Sequence, residues 1–166
     1  MTLSIRQLYC LGVLLTGLVL GFSYYLQAHD GISPCPLCLL QRYAFILLFM
    51  FFLIGALFKL KKWPVTIVNI LLIFTAASGS LLSARQIWLQ HFPPMYSGDC
   101  IANLTYLFQM LPWYEALMKI YEGGTECAET AGLFLRFSLA EWSFFFFVLF
   151  LILGGSVFYR ALRIRH

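Results

Sequence analysis

Cys35-Pro36-Leu37-Cys38-Leu39-Leu40-Gln41-Arg42 runs straight into YAFILLFMFFLIGALF, residues 43–58, and the next residue is Lys59. The apolar run carries no charge, and Arg42 and Lys59 close it at its two ends. A bilayer core of about 30 Å needs roughly 17 to 25 helical residues. The run is short for that length, so both bracketing cations are expected to snorkel to the interfaces. Further apolar runs lie between Arg6 and Asp30, between Lys62 and Arg85, and between Glu141 and Arg160. The sequence therefore predicts an all-α integral membrane protein, one domain of four spans at about 8–26, 43–58, 64–84 and 142–159. The segments at about 27–41 and 86–140 are expected as loops on one face of the membrane. Helices are required because lipid offers no partner to an open backbone and four strands cannot close a barrel.

Composition supports lipid as the main solvent. Of 166 residues, 61% are hydrophobic and 11% charged, where a soluble domain sits nearer a quarter charged. The net charge of +4 forms no basic face outside the membrane flanks, so membrane lipid is an expected partner and nucleic acid is not. The first apolar run is longer than a signal-peptide core, which predicts an uncleaved anchor. Arg6, the Lys59-Lys61-Lys62 cluster, and Arg160, Arg163 and Arg165 mark one side. All seven acidic residues fall in the two segments on the other side. By the positive-inside rule, both termini are cytoplasmic in a bacterial inner membrane. Cys35, Cys38, Cys100 and Cys127 then face the periplasm, where disulfides persist.

Proline disfavours helix in the residue before it and is well tolerated as a first helical residue. The second helix is thus expected to start at Pro36, with Cys35 as its cap and Cys38 in its first turn. Unpaired backbone N–H groups at such an end favour a thiolate on both sulfurs. Arg42, four residues beyond Cys38, shares its helical face. It can stabilise a Cys38 thiolate, hold a carbonyl of a bound cofactor, or simply anchor the helix at the interface. The Cys-x-x-Cys pair itself reads as redox-active, as a structural disulfide, or as half of a zinc site. Zinc wants four good ligands, and neither a second close pair nor a nearby histidine is present, so no metal is expected.

Cys100 and Cys127 close a loop of moderate length, and a structural bridge there would contribute roughly 3 to 4 kcal/mol. Gly98 and Gly123-Gly124 next to them also suit thiol exchange, which needs access to the attacked sulfur. Between these cysteines, Leu111 to Glu122 reads as a short amphipathic helix, lying on the membrane interface or against the end of the bundle. Cys10 is expected as a small packing residue. The Phe-rich fourth span reads as lipid-facing. His91 is expected as an ordinary loop histidine, with contact to a polar ligand as the alternative.

The combination resembles the DsbB family of membrane thiol oxidoreductases. The resemblance covers the whole chain and rests on four features. They are Cys35-Pro36-Leu37-Cys38 with Gln41-Arg42 at the second span, Cys100 after the Pro93-Pro94 turn, Cys127-Ala128-Glu129 in the long loop, and Trp142 at the fourth span. It implies an enzyme that re-oxidises a periplasmic, DsbA-like thioredoxin-fold dithiol protein and passes the electrons to membrane quinone, ubiquinone or menaquinone. It further implies that Cys35 and Cys38 form the quinone-linked pair, with Cys38 next to the quinone. Cys100 and Cys127 would exchange with the partner, Cys100 being attacked, and Arg42 would serve quinone use. Many members place a histidine after an arginine at the end of the third span; here the pair is Arg85-Gln86, and Gln86 can donate a hydrogen bond but cannot carry a proton. Two other readings are a vitamin-K-epoxide-reductase-like oxidoreductase and a non-enzymatic scaffold stapled by structural disulfides. In the first of these the membrane-proximal pair comes late in the chain, whereas here it opens the second span.

Overall fold

The computed structural model describes residues 4–30, 35–58, 62–92, 109–122, 133–134 and 137–163. Cys100 and Cys127, with the glycines flanking them, lie outside the described residues. Four long helices make the bundle: α1 (Ile5–Asp30), α2 (Pro36–Leu57), α3 (Lys62–His91) and α5 (Leu139–Arg163). Each is long and apolar enough to cross a membrane. A short helix α4 (Trp113–Glu122) precedes an antiparallel pair of two-residue strands, β1 (Leu133–Phe134) and β2 (Phe137–Ser138), which leads into α5.

Local sequence sets the helix ends. Ser4 and Gln7 form a reciprocal capping box on α1, Ser4 N–H donating to Gln7 Oε1 at 2.8 Å and Gln7 N–H to Ser4 Oγ at 3.3 Å. Ser138 and Glu141 repeat the device on α5, with Ser138 N–H 2.7 Å from Glu141 Oε2. On α2, Cys35 is the cap, in extended backbone, and Pro36 the first helical residue. The helices outrun the apolar spans: Gln27 and Gln86, at the edges of the expected loops, both lie on helical backbone. Near lipid a helix must carry its backbone hydrogen bonds until water can take over, so polar side chains do not end it. Hydroxyls inside the bundle are satisfied the same way, Ser83 Oγ donating to Gly79 O and Thr16 Oγ1 to Gly12 O.

Helix α2 packs on α1 and α3, and α3 packs most extensively on α5. The core between them is aromatic. Phe45 of α2 stacks on Phe147 of α5 with ring centroids 4.1 Å apart, and Phe52 and Phe150 complete the cluster. The fourth span is therefore not simply lipid-facing: Phe147 and Phe150 are fully buried, while Phe145 is exposed. A 3.6-residue repeat sends neighbouring phenylalanines to opposite sides, which a uniform run of one residue type conceals. Close approach of α3 and α5 depends on Gly79, because a Cβ there would overlap the Phe147 ring. Toward the Lys62 end, buried Asn69 donates to Tyr9 Oη at 2.9 Å and ties α1 to α3. Cys10, expected to pack inside, is exposed on the outer face of α1, since its neighbour Tyr9 takes the inward position.

Candidate functional site

The N-terminus of α2 carries the site. Capping puts the Cys35 sulfur over the first turn, where it accepts the Cys38 N–H at 3.3 Å. Three residues on, Cys38 returns to the same side, and the two Sγ atoms stand 2.7 Å apart. Cys35 is buried and Cys38 half-buried. Leu37, Leu40, Leu82, Leu89 and Leu111 form the apolar wall around them.

Into this wall α3 inserts one polar side chain. Gln86, 4% exposed, points its Nε2 at Cys38 Sγ at 3.1 Å and at Cys35 Sγ at 3.7 Å. Its Oε1 accepts from Gln41 Nε2 at 2.7 Å, and Gln41 is also 4% exposed. A buried amide is costly unless its hydrogen bonds are made, and each of these glutamines finds a partner on the other helix. The chain thus presents two sulfurs in contact, a half-open one and a sheltered one, with N–H donors from a helix end and an amide. Such donors stabilise negative charge on sulfur, and the half-exposed Cys38 leaves a face open to a reactant.

Arg42 does share the Cys38 side of α2, but its hydrogen bonds go to α1. Its guanidinium donates to Gln27 Oε1 at 2.6 Å and Ser23 Oγ at 3.0 Å, and it lies 4.6 Å from the Tyr24 ring centroid. Arg85 turns the other way. It donates to the Tyr121 carbonyl at 3.1 Å and stacks over that ring, fastening the last turn of α4 to α3. Helix α4 is thereby docked on the bundle, while Trp113, Tyr114, Met118 and Tyr121 stay exposed. His91 is helical rather than in a loop, with Nδ1 2.9 Å from the Ile87 carbonyl of its own helix.

Of the six residues singled out from sequence, the structure brings Cys35, Cys38 and Gln86 into contact and sets Arg42 beside them against α1. Gln41 stands in the sequence only as part of the Gln41-Arg42 motif, and nothing in the sequence points to Ser23, Tyr24 or Gln27 as partners of Arg42. The signal for Gln41 was present: a neutral amide three residues past Cys38, on the same face and near lipid, needs a buried partner.

The family model for the disulfide bond formation protein DsbB matches residues 5–157. The chain belongs to the DsbB family. A disulfide bond formation protein B of Hahella chejuensis is 34% identical over 161 residues, covering 97% of this chain and 98% of the relative. Another, from Azoarcus sp., is 38% identical over 125 residues, 75% of each chain. No solved structure matches the chain significantly. Membership in the DsbB family implies a role in membrane disulfide bond formation for the chain.

Proposed function

We propose that this DsbB-family chain is a quinone-dependent protein dithiol oxidase. It re-oxidises a periplasmic DsbA-like protein and moves two electrons through Cys100–Cys127 and then Cys35–Cys38 to membrane quinone. The observation that carries the reading is the Cys38 sulfur, half-open at a membrane helix mouth and hydrogen-bonded by Gln86 at 3.1 Å.

The partner's thiolate attacks Cys100, a mixed disulfide forms, and Cys127 leaves with the electron pair. The partner's second thiol then closes its own disulfide, and Cys100 and Cys127 are left reduced. They are re-oxidised by the Cys35–Cys38 disulfide, which takes up the same two electrons. A DsbA-type partner, near about −120 mV, needs an acceptor more oxidising still. Quinone in the bilayer, when bound, supplies that two-electron sink.

The residues fit such a ring. Cys38 is reachable from one side, and the wall around it is leucine. Arg42 carries five N–H donors, more than Ser23 and Gln27 occupy. Cys38 and Arg42 would hold the group, the guanidinium as a hydrogen-bond donor, and Gln86 would steady the Cys38 sulfur beside it. Basic-inside charge sorting puts these residues at the periplasmic end with both termini in the cytoplasm.

The purified protein in lipid nanodiscs, given reduced DsbA-like partner, is expected to oxidise many equivalents with quinone present and about one without it. Sustained oxidation in quinone-free membranes would contradict the proposal.

A further inference from the structure

We propose that Gln41 is a positioning residue: its N–H fixes the Gln86 amide with the donor end on the Cys38 sulfur. A glutamine amide has two ends of nearly equal shape, one donating and one accepting. Turned by half a rotation, Gln86 would set its oxygen against the sulfurs and repel a thiolate. Nothing in its own helix prevents that turn. The Gln41 Nε2 to Gln86 Oε1 bond, at 2.7 Å, opposes it for as long as Gln41 keeps its donor end toward α3, because the turned amide would face Gln41 donor to donor. Both side chains are 4% exposed, so bulk water offers no substitute partner.

The fixed amide treats the two sulfurs unequally. It is 3.1 Å from Cys38 and 3.7 Å from Cys35, whose own donor is the Cys38 backbone N–H at 3.3 Å. When an incoming thiolate bonds to Cys35 and the Cys35–Cys38 bond breaks, the electron pair goes to Cys38, the sulfur that the amide steadies. Leu37, Leu40, Leu82, Leu89 and Leu111 pack around the sulfurs, while Arg42 donates to Gln27 and Ser23 of α1 and Arg85 to the Tyr121 carbonyl. The inference rests on the redox reading of the pair, yet its test needs neither quinone nor partner, so each can fail alone.

The test is the alkylation rate of each sulfur by iodoacetamide, resolved by mass spectrometry, in the reduced full chain in quinone-free nanodiscs. A hydrogen bond to a charged group is commonly worth about a factor of ten or more. Gln86→Met and Gln41→Met are each expected to slow Cys38 at neutral pH by about tenfold and to leave Cys35 far less affected. Gln41→Asn, which keeps the amide but shortens its reach, should do the same. In a Gln86→Met background, Gln41→Met should add almost nothing, since it acts only through Gln86. Loss of packing would instead expose buried Cys35 and speed its labelling. An unchanged Cys38 rate in both Gln41 variants, faster labelling of both sulfurs, or effects of Gln41→Met and Gln86→Met that multiply, would overturn the assignment.

Discussion

Arg42 shows what a helical face can and cannot reveal. Its spacing from Cys38 is legible, but a long side chain reaches in several directions, and here its bonds go to Ser23 and Gln27. Held from α1, the guanidinium is a fixed donor at the edge of the site rather than a counterion pressed on sulfur. Arg42→Ala is therefore expected to leave the protein level nearly unchanged and to raise the quinone concentration for half-maximal rate several-fold. Gln27→Ala should give a smaller shift in the same direction, because it loosens the donor without removing it. Steady-state kinetics in nanodiscs measures both, and unchanged quinone dependence in Arg42→Ala would reduce the residue to an anchor. Gln41 and Gln86 escaped sequence reading as a pair for a related reason. They are 45 residues apart, and no local pattern says which two buried amides will meet.

At the scale of elements, α3 and α5 approach through missing side chains, Gly79 against Phe147 and Gly154 against Leu72. Gly79 admits the Phe147 ring, and that ring in turn stacks on Phe45 of α2. Overpacking a filled core typically costs about 1–3 kcal/mol. Gly79→Ala is expected to fall in that range and lower the Tm in detergent, whereas Gly155→Ala, with open space at its Cβ, should change it little. Equal Tm values for the two variants would contradict the packing described. The elements themselves were legible. Four spans followed from uncharged length, the α2 start from Cys35-Pro36, and α4 from an apolar-polar repeat ahead of Gly123-Gly124. Burial of Phe147 and Phe150 was not, because every residue of that run suits lipid and core alike. The helix ends also ran long, since Gln27 and Gln86 look like loop residues until their partners are known. The short β1–β2 pair offered no signal, two residues being too few for a strand period.

The molecule as a whole works only if its sides are sorted. Basic residues cluster at Arg6, Lys59-Lys61-Lys62 and Arg160-Arg163-Arg165, and the acidic ones in the other two segments. An export-dependent phosphatase fused after Gly98 is expected to be active and one fused after Lys61 inactive. The reverse pattern would put Cys35, Cys38, Cys100 and Cys127 on the cytoplasmic side and contradict the proposed relay.

The central claim, that electrons leave through Cys35 and Cys38, is tested most directly by the stoichiometry of partner oxidation. With both replaced by serine, the protein in quinone-loaded nanodiscs should oxidise about one equivalent of reduced DsbA-like partner through Cys100 and Cys127 and then stop. Removing Cys127 alone should instead trap the partner as a mixed disulfide on Cys100. The account predicts that single turnover beside continued oxidation by the unmodified chain. Sustained quinone-dependent oxidation by the variant lacking both Cys35 and Cys38 would contradict it.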